Sequence, residues 1–273
     1  MVLESTKIIL RHILPTAVYG LVRHVYLLLS KRGRFILEHE RLKSKYIKHA
    51  GSRVRKGPFA GMHYLDQAVG SAILPKLAGT YELELMPLVR QIIESGAYDR
   101  IIDIGAAEGY YAVGFARSMP VLTVVAFEAD ERGRQLLGEL AERNAVKDRV
   151  RIEGFCTVPA LSRVVRSGVL IFCDCEGGEY ELLDPVQIPG LCEVDMVVEL
   201  HDYQDPRITP AMRHRFESTH ELFFIDATPR SPSLLDDFNF LSEREKCMLV
   251  EERVLVGQQW VFMRRRNHVA SGT

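Results

Sequence analysis

An acidic, glycine-containing turn follows a short apolar run near residue 100. In IIDIGAAEGYYAVGFA, Asp103 ends the apolar run, Glu108 lies inside the turn, and Gly105 and Gly109 flank its centre. Glycines leave room for a ligand to approach backbone amides, and the helix predicted after the turn adds the positive end of its dipole. Dinucleotide sites place G-x-G-x-x-G here, and two carboxylates would repel their pyrophosphate. The turn instead suits a cationic ligand that carries an amino acid, such as S-adenosylmethionine (SAM).

A further acidic residue in register supports that interpretation. The next apolar run, VVAFEAD, ends in Glu128. Open parallel sheets bind ligands outside the carboxyl ends of their strands, so this carboxylate is expected beside the first turn. It can accept hydrogen bonds from both hydroxyls of a ribose. A nucleotide-dependent oxidoreductase is an alternative, and Asp103, Glu108 and the missing glycine pattern argue against it.

The stretch FCDCEGGEY, residues 172–180, supports three interpretations by itself: a metal site, a redox centre or an acidic turn. On a strand, residues two apart face the same side, so Cys173 and Cys175 are predicted to point away from Asp174. No second cysteine pair lies at zinc-binding spacing. The glycine pair that follows is typical of a turn from a strand into a helix. These points set redox chemistry aside and leave Asp174 as the candidate functional residue.

Asp174 gains candidate partners from a later run, VVELHD, which contains Glu199 and His201. Adjacent strand ends are expected to bring the three side chains onto one rim of the sheet. A histidine beside two carboxylates can act as a general base that an acid orients, or can hold a divalent cation together with them. It can also belong to a structural hydrogen-bond network. The residues alone leave these alternatives open.

The segment YELELMPLVRQIIESG is predicted to form a helix from Tyr81 that ends at Gly96, and short apolar runs then alternate with further helical patterns. Strands are predicted at RIIDI, LTVVAF, RVRIEG, VLIFCD, VDMVVEL and HELFFID, and the run QWVFMRR follows a last helix. Continuously apolar strands indicate burial on both faces, as in a parallel sheet covered by helices. We therefore expect an α/β, doubly wound, mostly parallel sheet. The predicted boundaries are a basic helical extension at 1–80, the main domain at 81–264 and a basic tail at 265–273.

With these elements in place, two pairs of motifs resemble a known family. DIGAAEGYYAVGFA followed by FEAD resembles the class I SAM-dependent methyltransferases, and FCDCEGGEYELLDP followed by VDMVVELHDY resembles their FkbM type. The resemblance covers residues 100–203 or so. It implies a Rossmann-like methyltransferase sheet and transfer of a methyl group to an oxygen. The implied acceptor is a hydroxyl of a sugar, a glycan or glycolipid precursor, or a specialised metabolite.

The resemblance also implies roles for individual residues. Glu128 and Ala129 would face the ribose and the adenine edge, and Cys156 would contact the adenine ring. Tyr81 and Glu82 would close over SAM, although both are also typical of an ordinary helix start. The methionine end of SAM would lie against the turn after the first strand, and Asp174 beside the reactive methyl group. The implied contacts at that end are Asp103, Gly105, Ala106, Glu108, Gly109 and Asp174.

Charge is distributed unevenly along the chain. Residues 31–56 carry a net charge of +8, and residues 57–273 carry −11. An acidic body would repel phosphates, which argues against nucleic acid as a partner. The basic segment and the apolar stretch before it suggest peripheral contact with an anionic membrane. A non-catalytic SAM-fold module that binds a partner or a membrane through this segment is the alternative function.

Composition also bears on the compartment. The five cysteines form no regular framework and no signal peptide is predicted, which indicates reduced thiols in the cytoplasm. The longest uncharged run near the N-terminus, residues 13–22, is too short to span a bilayer. Among the arginines, Arg207, Arg213 and Arg230 follow predicted strand ends and are candidates for binding an anionic acceptor.

Overall fold

The computed structural model describes residues 30–252 and 258–266. The chain divides into two compact units, residues 1–51 and 52–273. The described part of the first unit is helix α1 (Lys31–Ala50), which confirms the helix predicted in the basic segment. The helices predicted before it lie outside the described residues. The predicted boundary at residue 80 differs from this division, since residues 52–80 belong to the second unit.

A sheet of seven strands forms the centre of the described second unit. The strands are β1 (Arg100–Ile104), β2 (Thr123–Phe127), β3 (Val150–Glu153), β4 (Val169–Cys173), β5 (Asp195–Leu200), β6 (His220–Asp226) and β7 (Gln259–Arg265). Their order is β3-β2-β1-β4-β5-β7-β6. Strands β1 to β5 are parallel, and β7 is antiparallel to both of its neighbours. This confirms the predicted doubly wound, mostly parallel α/β sheet.

Helices on both sides cover the sheet. They are α2 (Ile73–Ala78), α3 (Met86–Ser95), α4 (Tyr110–Ser118), α5 (Glu131–Arg143), α6 (Val158–Ser162), α7 (Glu179–Leu182), α8 (Ile208–Phe216) and α9 (Glu243–Val250). Local signals set their ends. Asp130 caps α5 by accepting a hydrogen bond from Gly133 N, and Gly96 ends α3 in the left-handed conformation.

The helix predicted from Tyr81 begins later than expected. Glu82 has a φ of 45°, which no helix accommodates, and a 3₁₀ turn (Leu83–Leu85) precedes α3. The left-handed conformation is costly for a residue with a side chain, and it turns the chain sharply at this point. Glu82 thereby belongs to a loop above the sheet instead of to a helix beside it.

The residues inside β1, β4 and β5 are buried, and all of them except Asp103 and Glu199 are apolar. In β4, all five residues from Val169 to Cys173 are buried, and β1 is buried from Ile101 to Ile104. This pattern confirms the predicted burial on both faces of the sheet. The strand order reverses between β1 and β4, and open α/β sheets bind ligands in the crevice at such a reversal. The fold therefore directs attention to the turns after β1 and β4.

Within the part of the chain that the structure describes, no helix combines the length and the hydrophobicity that a bilayer-spanning segment requires. The apolar stretch before α1 lies outside the described residues, and the proposal of peripheral membrane contact rests on it.

Candidate functional site

A cavity of about 780 Å³ opens at the carboxyl ends of β1, β2, β4 and β5. Its walls come from the turns after these strands and from the segment at residues 69–82. Small-molecule and cofactor sites have volumes of roughly 300–1,000 Å³, so this cavity has the size of a cofactor with part of an acceptor. It lies at the reversal of strand order between β1 and β4.

The turn after β1 is fixed by backbone contacts. The amides of Gly105 and Ala106 both donate to the carbonyl of Phe127, at 2.9 and 3.0 Å. Gly105 has a φ of +85°, and a Cβ atom there would lie 1.6 Å from the carbonyl oxygen of Asp174. The amide of Asp174 in turn donates to the carbonyl of Ile104. The turns after β1 and β4 are thus packed backbone against backbone, and only glycine fits at Gly105.

Asp103 presents an unsatisfied carboxylate oxygen beside the cavity. Its side chain is 3% exposed, it lines the cavity wall, and Oδ2 has no hydrogen-bond partner among the described residues. Burial and the charge of Asp174 raise the pKa of Asp103 to about 7. A buried oxygen without a partner costs free energy, which a cationic donor in the cavity would recover.

Glu128 lies on the cavity wall at the end of β2, with Ala129 next to it. Its carboxylate accepts hydrogen bonds from the amides of Ala107 and Asp130, at 2.6 and 2.7 Å. Gly133 makes room for this side chain, because a Cβ atom there would lie 2.8 Å from Glu128 Cγ. The carboxylate is therefore held in place by the protein, as a group that positions a ribose would be.

Apolar groups form the end of the cavity beyond Glu128. Phe155 is 73% exposed, which is high for a phenylalanine, and it lines the cavity together with Cys156 and Val158. Burial raises the pKa of the Cys156 thiol to about 12, so it is a neutral, polarizable contact. This surface suits a flat aromatic ring.

Glu108 does not line the cavity, contrary to the predicted contact with the cofactor. Its carboxylate is fully buried and accepts hydrogen bonds from Lys76 Nζ (2.6 Å), Tyr64 Oη (2.6 Å) and the amide of Val69 (3.0 Å). Despite the burial, Lys76 and these hydrogen bonds lower the pKa of Glu108. Lys76 compensates the charge of Glu108. Of the two acids of this motif, Asp103 and Glu108, only Asp103 would therefore repel a pyrophosphate.

Gly109 also lies outside the cavity lining. It has a φ of +94°, and a Cβ atom there would lie 2.8 Å from Leu137 Cγ. This glycine serves the start of α4 and its close packing against α5, so its predicted role as a direct cofactor contact is not what the geometry indicates.

His201 lies at the other end of the cavity, among acidic side chains. Its Nδ1 is 2.7 Å from Oε1 of the fully buried Glu179. Its Nε2 faces the carboxylates of Asp174 (3.5 Å), Glu199 (3.7 Å) and Glu176 (3.9 Å). Glu179 thus fixes the ring orientation and directs Nε2 toward Asp174. The predicted cluster of Asp174, Glu199 and His201 is present.

The acidic neighbours change the protonation of this cluster. Burial lowers the pKa of His201, but the hydrogen bond and charge of Glu179, with the charges of Glu199 and Asp174, raise it to about 9. Burial and the charge of Asp174 raise the pKa of Glu199 to about 9 and that of Glu82 to about 8. Burial raises the pKa of Asp174 to about 6. At neutral pH, His201 therefore carries a proton in the absence of a ligand.

Among the residues that the structure describes, two groups of side chains have the spacing to hold a cation. Asp174, Glu176 and His201 form one, and Glu82, Asp174 and Glu199 form the other, each with one ligand atom per residue within 4.8 Å of the rest. The predicted trio of Asp174, Glu199 and His201 is neither of them. Asp174 belongs to both groups. The second group differs from the predicted trio in one member, because it contains the buried acid Glu82 instead of His201.

Glu82, which the resemblance expects to close over the cofactor together with Tyr81, is a further acid of the site. It lies on the cavity wall with Tyr81, as the predicted closure of Tyr81 over the cofactor requires. Tyr111 donates a hydrogen bond to its carboxylate, and the amide of Glu82 donates to Glu252 at 3.2 Å. The only signal in the sequence is its position just before α3, which by itself is also typical of a helix start.

One predicted orientation in FCDCEGGEY is wrong. Cys175 lines the same cavity as Asp174, and Cys173 does not. Strand β4 ends at Cys173, and Glu176 and Gly177 have positive φ values, so alternation along the strand no longer applies at Cys175. The two sulfur atoms lie 3.6 Å apart as free thiols.

The three candidate arginines are engaged elsewhere. Arg230 is buried between Glu84 and Glu252, with a nitrogen–oxygen distance of 2.5 Å to Glu84 and 2.8 Å to Glu252. Arg207 pairs with Asp205 at 2.6 Å, and Arg213 stacks on the ring of Phe224. None of them lines the cavity. The predicted binding of an anionic acceptor by these residues does not fit the structure.

We expect Glu179→Gln to lower the pKa of His201 from about 9, because the amide keeps a hydrogen bond but removes the nearest charge. A histidine whose pKa is raised in the folded state adds stability below about pH 6.5, and this stability is lost as pH rises through about 9. The variant should therefore lose more stability at pH 6 than at pH 10. NMR titration of the imidazole and denaturation at both pH values measure this.

Glu181→Gln is the matched control, since Glu181 lies on the same short helix α7 but is exposed. It should leave the pKa of His201 within experimental error. An unchanged His201 pKa in Glu179→Gln would show that Glu179 does not hold the proton on the ring.

Solved structures with a similar fold were found, although no protein-family model and no curated protein sequence matches the chain. A human methyltransferase 10 domain containing protein is 11% identical over 83% of this chain and 96% of its own, with a TM-score of 0.49. An O-methyltransferase from Bacillus cereus, in complex with SAH, is 14% identical over 64% and 78%, with a TM-score of 0.44. Precorrin-6y C5,15-methyltransferase from Geobacter metallireducens is 10% identical over 68% and 92%, with a TM-score of 0.44. At these values the likeness concerns the fold alone.

Proposed function

We propose that this chain is a SAM-dependent methyltransferase of the FkbM type that transfers a methyl group to a hydroxyl oxygen. One observation supports this most directly. The cavity at the strand-order reversal presents the unsatisfied Asp103 oxygen and an excess of buried acids at one end, and an aromatic and thiol surface at the other. A ligand that is cationic at one end and carries a flat ring at the other fits this arrangement.

The residues fit SAM in three places. Asp103 would take the ammonium group of the methionine end, because it supplies a buried acceptor without a partner. Glu128, held by two backbone amides, would take the ribose hydroxyls. Phe155 and Cys156 would contact the adenine ring from the apolar end of the cavity. An NAD-type pyrophosphate would instead meet Asp103 and Asp174.

When bound, SAM supplies an electrophilic methyl carbon on a sulfonium sulfur. The cavity residues must align the acceptor oxygen in line with that carbon and remove the hydroxyl proton. Asp174 and His201 Nε2 lie together at the acidic end of the cavity, and Glu179 holds the ring of His201 in this orientation. His201, Asp174 and Glu199 are therefore the proposed catalytic group.

His201 can act as the base only after it has lost its proton. Its pKa of about 9 reflects the surrounding carboxylates, whose charges a cationic cofactor would offset. Positive charge in the cavity lowers the pKa of His201 and of the raised acids Glu82 and Glu199. Cofactor binding would then expel protons from the cluster and leave a neutral imidazole that faces the acceptor.

A metal-assisted reaction is the competing version of the same function. The group of Glu82, Asp174 and Glu199 supplies three carboxylates, the ligand type that Mg²⁺ and Ca²⁺ prefer. In that case the cation would orient the acceptor hydroxyl, and His201 would not be its base. The acceptor is proposed from the family resemblance: a sugar, a glycan or glycolipid precursor, or a specialised metabolite.

Calorimetric titration with SAM, S-adenosylhomocysteine and NAD tests the proposal. We expect SAM and S-adenosylhomocysteine to bind and NAD not to bind. Titrations in buffers of different ionisation enthalpy should show proton release at pH 7.5, larger with SAM because its sulfonium adds a positive charge beside the acids. Repeating the titrations with EDTA, which removes divalent cations, tests the metal-assisted version. NAD binding without SAM binding would contradict the proposed function.

A further inference from the structure

Lys76 is the only lysine or arginine on the cavity wall within the described residues. It lies in α2, in the segment that precedes the region covered by the family resemblance, and its side chain is 3% exposed. A lysine is rarely buried to this degree unless its charge is compensated. Apart from His201, the other ionisable groups on the wall are acids, tyrosines and cysteines, so a lysine there is a distinguishing feature.

The ammonium group of Lys76 makes two recorded hydrogen bonds and lies near two aromatic rings. Its Nζ donates to Glu108 Oε1 at 2.6 Å and to Ser71 Oγ at 2.7 Å. It also lies 4.7 Å from the ring centroid of Tyr81 and 5.5 Å from that of Tyr110. An ammonium group has three N–H donors, and the recorded hydrogen bonds account for two of them. Ser71 and Tyr81 line the cavity beside it.

Lys76 and Asp103 form a pair of opposite charges on the same wall. Burial raises the pKa of Asp103 and of Asp174, and the positive charge of Lys76 opposes this rise in both cases. Asp103 has an oxygen without a partner, and Lys76 has a donor beyond its two recorded acceptors. Together they present one unsatisfied acceptor and one cationic donor, which is the complement of a zwitterionic α-amino acid.

We propose that Lys76 binds the α-carboxylate of the methionine end of SAM, while Asp103 takes the α-ammonium group. This inference rests on the proposed function and adds to it a specificity-determining residue outside the motifs. Glu108 then acquires a role: its hydrogen bond fixes the position of the ammonium group of Lys76. The segment at 69–76 is tied to the turn after β1 through Glu108, so the cofactor carboxylate would bind where the two meet.

Decarboxylated SAM tests this directly, because it lacks only the carboxylate. A charge-assisted hydrogen bond in a buried site corresponds to on the order of 10- to 100-fold in affinity, so wild-type protein should bind SAM tighter than decarboxylated SAM by that ratio. In the double variant Lys76→Met/Glu108→Gln, the ratio should fall to within about threefold of unity. Its affinity for decarboxylated SAM should stay close to the wild-type value.

Glu108→Gln accompanies the lysine change so that no unpaired acid remains buried, and thermal melting checks that the double variant is folded. Lys246→Met is the control, since Lys246 pairs with Glu243 outside the cavity and its loss should leave the ratio unchanged. If wild-type protein binds SAM and decarboxylated SAM equally well, the inference is wrong. It is also wrong if the folded double variant keeps the wild-type ratio of the two affinities. Failure of wild-type protein to bind either compound would instead overturn the proposed function.

Discussion

Replacing Gly105 with alanine is expected to destabilise the protein by about 2–5 kcal/mol and to abolish cofactor binding. Two effects act together. The φ of +85° is unfavourable for any residue with a Cβ atom, and that atom would lie 1.6 Å from the carbonyl oxygen of Asp174. The obstacle is backbone, so rotation of a side chain cannot relieve it. Either the turn after β1 or the end of β4 must move, and both carry proposed cofactor contacts.

Thermal denaturation and calorimetry with S-adenosylhomocysteine measure the two parts of this prediction. Gly138→Ala is the matched control, because a Cβ atom there meets only Ile152 Cδ1, at an ordinary 3.7 Å, and the residue lies inside helix α5. Alanine in a helix interior is favoured over glycine by about 0.5–1 kcal/mol, so this control should be neutral or stabilising. Normal binding and stability in Gly105→Ala would show that the two turns are not packed as described.

Arg230→Met is expected to cost about 3–5 kcal/mol of folding free energy at pH 7.5, because it leaves two buried carboxylates without their cation. The side chains of Arg230 and Glu84 are each 4% exposed, and that of Glu252 is 8% exposed. Arg230 joins its own segment to those of Glu84 and Glu252. Glu84 follows the turn at Glu82, and Glu252 accepts a hydrogen bond from the Glu82 amide. We expect the variant to loosen the turn at Glu82 on the cavity wall and to bind cofactor more weakly.

The pH dependence of this loss identifies its cause. With Arg230 present, its hydrogen bonds hold the pKa of Glu84 below the ordinary value of 4.5, so the pair adds stability above that pH and loses it as pH falls further. Without Arg230 the carboxylates can take up protons, so the difference between variant and wild type should shrink on acidification toward pH 4.5. Urea denaturation at several pH values measures it.

Arg166→Met provides the comparison for a surface pair. Arg166 contacts both oxygens of Asp99, at 3.0 and 2.9 Å, but both side chains are exposed. Its loss should cost no more than about 1 kcal/mol. A triple variant, Arg230→Met with Glu84→Gln and Glu252→Gln, should recover much of the stability, and a loss in that variant equal to Arg230→Met alone would contradict the electrostatic origin of the effect.

Patterns that repeat along the chain made most of the fold predictable. The run VLIFC is buried at every position, and RIIDI at every position after Arg100, as expected of apolar runs that form central parallel strands. The turn at Gly105 was predictable because a glycine that follows an acid at the end of a buried strand is typical of a ligand-binding turn in an open α/β sheet. Asp103, Glu128 and the cluster around Asp174 followed from the positions of strand ends, which the topology brings together.

Single long-range contacts were not predictable, because they leave no periodic signal. Nothing near Lys76 indicates that it pairs with Glu108, and nothing near Arg230 indicates that two acids enclose it. The position of Cys175 depends on where β4 ends, and strand boundaries are the least certain feature of a sequence-based prediction. The protonation state of His201 was also not predictable from the sequence, since its pKa depends on the distances to three carboxylates, Asp174, Glu179 and Glu199.

The insertion of β7 between β5 and β6 has a consequence for biosynthesis. Strand β7 follows both neighbours in the sequence, and within the described sheet β6 pairs only with β7. Until the nascent chain has emerged as far as β7, β5 therefore has an unpaired edge, and β6 has no partner strand within the described sheet. Because Glu199 pairs with Trp260 across that edge, the strand that carries Glu199 lacks its neighbour on this side during vectorial synthesis until residues 259–265 emerge.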